Sequence, residues 1–250
     1  MTQVHTTPPP PVVPTIVGRH HFLLRRLHSL SGIVPVGVFL CEHLLTNAQI
    51  LRGPEHFDHD VLFIRSLPAL RLIEIFGIWL PIAFHAALGV VYTFTGRPNM
   101  PNYPYQGNVR YSLQRVTGII ALIFIFLHMW TVQWGLPIGS WHTPFDPEHP
   151  TRSTAAALQF AWWVAPLYVL GILSCVYHFA NGLWTAAITW GLTISTNAQR
   201  RWGYICIVLG LALAILGLGA IQGFRTYDIN GDESVTAQVD QNHDITSHRE

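Results

Sequence analysis

A chain of 250 residues, half of them hydrophobic and only 11% charged, does not have the makeup of a soluble domain, where about a quarter of residues carry charge. Its net charge of +1 gives no reason to expect a nucleic-acid partner. The charges are segregated, and apolar stretches at about 29–50, 72–95, 113–136, 157–182 and 203–224 each reach the roughly 20 residues needed to cross a bilayer as a helix.

The predicted fold is all-α: a polytopic membrane bundle of five transmembrane helices over residues 22–224, with tails at 1–21 and 225–250. The start, MTQVHTTPPPPVVP, lacks the positive and apolar regions of a cleavable signal peptide. Its proline run predicts an extended segment, disordered or lying on a partner. Arg19, Arg25 and Arg26 precede the first span and Arg52 soon follows it, which orients the N-terminus toward the cytoplasm and, after five crossings, the C-terminus outside.

The first span ends at Arg52-Gly53-Pro54, before a histidine and aspartate cluster. The second ends at Gly96-Arg97-Pro98 and Pro101. The third ends at Gly135 and Pro137, ahead of WHTPFDPEHP, and Asn197 with Arg200-Arg201 separates the fourth from the fifth. Pro35, Pro81 and Pro166 fall inside spans, which membrane helices tolerate where neighbours re-satisfy the freed carbonyls. After residue 225 the chain is polar and acidic and is expected to be mobile.

Four of the spans carry one buried candidate each: His43 in LCEHLL, His85 in AFHAAL, His128 in FLHMWT and His178 in VYHFAN. An imidazole is costly in hydrocarbon, so each marks a functional site. All four lie beyond the midpoints of their predicted spans. Because successive spans run in opposite directions, His43 and His128 fall nearer the outer face, and His85 and His178 nearer the inner face. Two pairs at two depths are the pattern of two haems, each clasped by two imidazoles. Double axial ligation closes iron to oxygen and leaves electron transfer as its task. Zinc suits the pattern poorly, since no pair sits at i, i+4 and no thiolate cluster accompanies them.

The stripes Gly77, Pro81, His85, Gly89 and Gly171, Ser174, His178, Gly182 would let a flat macrocycle approach, although such stripes also serve ordinary helix packing. Cys41, Cys175 and Cys206 form no C-x-x-C-H motif, so the haems would be held non-covalently. His28 precedes His43 by about 22 Å of helix and cannot share its iron. It could instead contact the propionates of the inner haem together with Arg25, Arg26, Ser29 or Ser31. His20, His21, His56, His59, His142 and His149 are expected at solvated positions.

The segments RRLHSLSGIVPVGVFLCEHLL, LPALRLIEIFGIWLPIAFHAALGVV, LQRVTGIIALIFIFLHMW and ILSCVYHFANGLWTAAITWG resemble the cytochrome b membrane anchor of succinate:quinone oxidoreductases and fumarate reductases, in its single-subunit, five-helix, diheme b558 form. The resemblance implies that His43 pairs with His128 and His85 with His178 as haem b ligands. It implies a bacterial cytoplasmic membrane, a flavoprotein partner holding FAD, and an iron–sulfur partner, since this chain carries neither a dinucleotide fingerprint nor a cysteine cluster. Some members place a lysine near the inner propionates where Thr189 stands here; with no lysine in this chain, arginines or hydroxyls would take that role. Higher oligomers of the complex are compatible with the pattern.

Quinone reduction needs protons, so a titratable group should stand near the acceptor. Glu42 and Glu74 are the only acidic residues within the predicted spans. Glu74, in RLIEIF at the outer start of span two, is the first choice, and Glu42, beside His43, the second. Menaquinone is the quinone that the resemblance suggests. The competing interpretations are a diheme anchor of a hydrogenase or nitrate reductase and a haem-free transporter. A transporter should bury charge at midplane, and the span interiors hold almost none.

Overall fold

The structure is a computed structural model that describes residues 20–96 and 99–231. Most of the proline-rich start and the acidic segment from 232 onward lie outside the described residues.

Five helices are long and apolar enough to cross a membrane: α1 (His21–Leu51), α3 (Leu70–Thr95), α4 (Gln106–Gln133), α6 (Val164–Thr189) and α7 (Thr196–Thr226). Two short helices, α2 (Pro54–Arg65) and α5 (Pro150–Gln159), lie in the connections after α1 and α4. The chain is therefore an all-α polytopic bundle. Pro35 interrupts α1 after Val34 without ending it, because the Val34 N–H still reaches the Leu30 carbonyl at 2.9 Å and Val38 reaches Val34 at 3.3 Å. Proline removes one donor, and the flanking bonds carry the helix past it. Pro166 sits in the first turn of α6, where the missing N–H costs nothing.

The fourth span differs from expectation. The apolar run at 157–182 is divided: its first residues belong to α5, and the crossing helix runs from Val164 to Thr189. The physical reason is that Ala155, Ala157, Leu158 and Val164 are buried against protein, so their hydrophobicity serves a small cap. Ile50, Phe57, Trp141, Ala155, Leu158, Val164, Ala220 and Phe224 form one cluster there. α2 and α5 thus close one end of the bundle, called here the capped end. The other end holds the start of α1. At the C-terminal side α7 continues through Arg225 to Thr226, slightly past the expected boundary.

α6 packs extensively on α4 and α7, while α1 meets α3 through its first half and α7 through its second. The four histidine-bearing helices surround a common interior, and α7 buttresses α1 and α6 from outside. Many large side chains remain exposed, among them Phe76, Leu80, Phe94, Val208 and Ile215, as expected for surfaces solvated by lipid rather than water.

Polar contacts concentrate at the cap. The Asp58 carboxylate of α2 accepts from the Thr151 backbone N–H (2.9 Å) and hydroxyl (2.8 Å), capping the N-terminus of α5 from a different helix. In the preceding loop, Asp146 accepts from the Glu148 backbone N–H at 2.9 Å and pairs with His149 Nδ1 at 3.0 Å. These donors hold its carboxyl below the usual carboxylate range. Asp58→Ala is expected to lower stability by about 1–2 kcal/mol and to speed proteolysis between α4 and α6, measured by thermal unfolding and limited digestion. Asp58→Asn, which keeps one acceptor, should recover part of the loss.

Candidate functional site

At the level nearer the capped end, α1 and α4 bring His43 and His128 together, with ring centres 6.0 Å apart and planes at 68°. Phe39 and Phe124, one turn earlier on each helix, flank them at 5.3 Å and 6.0 Å. His128 Nδ1 lies 3.1 Å from the hydroxyl of Tyr168 on α6. At the second level, α3 and α6 bring His85 and His178 to the same 6.0 Å, with perpendicular planes. His85 Nδ1 is 2.9 Å from the His28 carbonyl, and His178 Nδ1 is 2.9 Å from the Gln114 carbonyl.

A carbonyl can only accept, so these two bonds settle the tautomer: Nδ1 carries the proton and Nε2 keeps its lone pair free for a ligand. Gln114 also braces α6 through its side chain. Its amide nitrogen donates to the His178 carbonyl at 3.0 Å, and its amide oxygen accepts from Asn181 at 2.7 Å. The same nitrogen stands 3.5 Å from His178 Nε2, too far for a strong bond.

The spacing within each pair is informative. An imidazole nitrogen sits about 2 Å from a first-row metal and about 1 Å from its own ring centre, so a 6.0 Å gap between ring centres has room for one metal held by both rings. Among the described residues no group of three or more His, Cys, Asp and Glu side chains converges as a metal cage. Either pair would supply two nitrogen donors, and a group such as haem would supply the remaining ones from its own ring.

Around His85 and His178 the polar groups are unusually dense for a membrane interior. His28 stacks on His85 at 4.0 Å and meets Tyr92 edge-on at 5.4 Å. The Arg25 guanidinium lies 5.3 Å from the Tyr92 ring centre, and Arg115 donates to the Tyr92 carbonyl at 3.4 Å. Arg26 stands over Phe22 and Trp190, at 4.3 Å and 5.0 Å. Buried atoms without a partner include Arg26 Nε, His28 Nδ1, Tyr92 Oη, Ser112 Oγ and Arg115 Nε. Burying such groups unpaired costs about 1–3 kcal/mol each, which fits a place built for an anionic group. Ser31 donates to the His28 carbonyl at 2.9 Å, the same oxygen that His85 uses, and Ser29 is half-buried.

Beside the His43 level, a cavity of about 640 Å³ is lined by Arg65, Leu70, Arg71, Glu74, Ile75, Trp79, Gln133 and Trp134. Both helices that wall it are locally π-helical, at Glu74–Trp79 and Met129–Gln133, and such bulges recur at functional sites. α3 enters it from Ala69, a non-glycine residue at φ +57°. Strained backbone of this kind clusters at ligand sites. Trp79 and Trp134 stack at 5.9 Å and 14°, giving a flat apolar wall beside one carboxylate and two guanidinium groups. Of the two carboxylates singled out in the sequence, only Glu74 lines this cavity. Glu42 is exposed and accepts from Thr46 on its own helix at 2.8 Å.

Residues 102–217 match the family model of the succinate dehydrogenase/fumarate reductase transmembrane subunit. The chain is also 42% identical over 207 residues to the succinate dehydrogenase cytochrome b558 subunit of Bacillus subtilis (strain 168), covering 83% of this chain and 98% of that protein. The chain belongs to this cytochrome b family. It is a membrane subunit of a succinate dehydrogenase or fumarate reductase complex, and its cytochrome b character implies haem b.

Sequence reasoning located the histidines but missed what fixes them. Tyr168, Gln114 and Asn181 carry no recognisable motif, and a backbone carbonyl has no residue signature at all. Tyr92 and Arg115 come from α3 and α4, so only the tertiary fold assembles them with His28. The π-helical segments had no signal in the apolar pattern.

Proposed function

We propose that this chain carries electrons between an iron–sulfur partner subunit and a membrane quinone through two haems b, an inner one held by His85 and His178 and an outer one held by His43 and His128. The single observation behind this is the pair of 6.0 Å ring separations, a gap that one iron held by both imidazoles would fill. When bound, bis-imidazole haem supplies a one-electron carrier with no open coordination position. Electrons enter from the partner pair, a flavoprotein with FAD and an iron–sulfur protein, at the cytoplasmic end where α1 begins. The levels of Gly32 and His43 are separated by roughly 16 Å of helix.

The protein's own part is to hold and orient. The His28 and Gln114 carbonyls lock two imidazoles in the ligating tautomer, and the Tyr168 hydroxyl accepts from His128 Nδ1. Arg25, His28, Tyr92 and Arg115 form the inner propionate contacts. Arg26, which stands over Trp190 beside Thr189, would supply a cation where some members of the family carry lysine. Ser31 acts indirectly by sharing the His28 carbonyl, and Ser29 completes the polar rim.

The quinone site is the cavity beside Glu74. The Trp79–Trp134 wall takes the ring, Arg65 and Arg71 face its oxygens, and Glu74 relays protons. Glu42, turned away on α1, is a secondary route at most. With the N-terminus inside, the cavity opens at the outer surface of a bacterial cytoplasmic membrane. Electrons reaching it move outward, and the membrane potential contributes about 2.3 kcal/mol per charge per 100 mV. That makes an otherwise uphill reduction of a low-potential acceptor such as menaquinone feasible.

His43→Ala or His128→Ala is expected to abolish the outer haem signal in reduced-minus-oxidised spectra and spare the inner one, with His85→Ala and His178→Ala doing the converse. Retention of both signals in every variant would refute the ligand pairs. Glu74→Gln should leave both spectra intact and lower quinone reduction by about 100-fold, the scale of a lost proton relay, while succinate-to-dye activity stays normal. Tyr168→Phe removes the acceptor at His128 Nδ1 and makes that imidazole a poorer donor to iron. The midpoint potential of the outer haem alone should rise in redox titration.

A further inference from the structure

The two imidazoles of the His85 level share a seat that recurs four residues apart on two different helices. His85 donates to the carbonyl of His28, and one turn later stands Gly32. His178 donates to the carbonyl of Gln114, and one turn later stands Gly118. A Cβ on Gly32 would press into the His85 ring, 2.6 Å from Nδ1 and closer still to Cε1. A Cβ on Gly118 would lie 2.8 Å from His178 Cε1 and 3.0 Å from Nδ1. We propose that Gly32 and Gly118 are positioning residues for the inner haem, each leaving a notch in which one axial imidazole lies against a neighbouring helix backbone.

The geometry follows from the helix itself. The carbonyl of residue i already accepts the N–H of residue i+4, so an outside donor must use its second lone pair. To reach that lone pair the imidazole passes beside residue i+4, where any side chain would stand on the same face. Neither glycine has a positive φ, so backbone freedom does not require them. Glycine inside a helix costs about 0.5–1 kcal/mol relative to alanine, a cost that the space for the ring offsets. Other interior glycines receive apolar groups: Gly171 takes Phe124, Gly37 takes Phe179 and Gly217 takes Ile172. The ring that meets Gly32 or Gly118 also bonds the carbonyl one turn earlier. The Trp184 indole does the same at Gln199 and Gly203, but a Cβ there would make ordinary contact at 3.4 Å, so that glycine leaves no comparable notch.

This inference rests on the assignment of His85 and His178 to the inner haem, and the test separates the two. The whole complex is purified with Gly32→Ala, Gly118→Ala, Gly217→Ala or His178→Ala in this chain. Haem is counted, and each haem is followed by electron paramagnetic resonance and redox titration. Gly32→Ala and Gly118→Ala should lose most of the inner haem, or retain it with a displaced potential and altered low-spin signal, while the outer haem is unchanged. Gly217→Ala should affect neither haem selectively. Wild-type inner-haem signals in both glycine variants would overturn the proposal. If Gly118→Ala fails to assemble, the double variant Gly118→Ala/His178→Gly removes the ring that the new methyl meets. Recovery of a complex with only the outer haem supports the notch, and continued failure overturns it in favour of helix packing. Retention of both haems in His178→Ala would instead overturn the ligand assignment.

Discussion

The structure depends on one constraint: an imidazole placed in hydrocarbon must have both of its nitrogens accounted for. Nε2 can be given to a metal, but Nδ1–H then needs an acceptor inside a bundle whose backbone groups are already paired. Two of the four rings obtain one from a neighbouring helix, through the His28 and Gln114 carbonyls, and His128 Nδ1 meets the Tyr168 hydroxyl at 3.1 Å. Each of these contacts ties two helices at a fixed height, so the groups that hold the histidines also set helix register. The bundle is in this sense built around its histidines, and the apolar remainder of each helix mainly keeps it in lipid.

The same constraint explains how the polar groups are distributed. A membrane interior tolerates unpaired donors badly, yet Arg26, His28, Tyr92, Ser112 and Arg115 leave buried atoms without protein partners. His28, Tyr92 and Arg115 gather on the side of His85 where α1 begins, and Arg26 lies further toward that end, over Trp190. The His43–His128 pair is instead bordered by Phe39 and Phe124. One level thus has polar neighbours and the other aromatic ones, and surroundings that differ this much would give two haems held there different redox behaviour.

Much of this was legible from the amino-acid order, for identifiable reasons. Apolar length marked five crossings, because a bilayer imposes it. Direction reversal sorted the four histidines into two depths, because residues comparably far past the middle share a level on helices that run the same way and lie at opposite levels on antiparallel ones. The fourth crossing was displaced because hydropathy cannot distinguish Ala155, Leu158 and Val164 in a protein cap from the same residues facing lipid. In the sequence Glu74 ranks ahead of Glu42 only because it stands at the start of its span, while Glu42 lies inside one beside His43. The helix faces separate them, and the π-helical turn that aims Glu74 toward Trp79 and Trp134 leaves no trace in composition. The carbonyl partners were beyond reach, since every residue type supplies one.

Gly32 and Gly118 show where sequence and structure carry different information. Within SLSGIV and RVTGII each looks like an ordinary small residue of a membrane helix, one of many that permit close packing. Neither lies on the same helix as the histidine it serves, so no spacing rule along one helix connects them. The link appears only when the acceptor carbonyl is located first and the turn after it is inspected. A buried imidazole that takes a second bond from a helical carbonyl imposes a vacancy four residues later on that helix. Such a vacancy ties the identity of a glycine on one helix to a histidine far away in the chain. It makes the pair, rather than either residue, the unit on which the inner site depends.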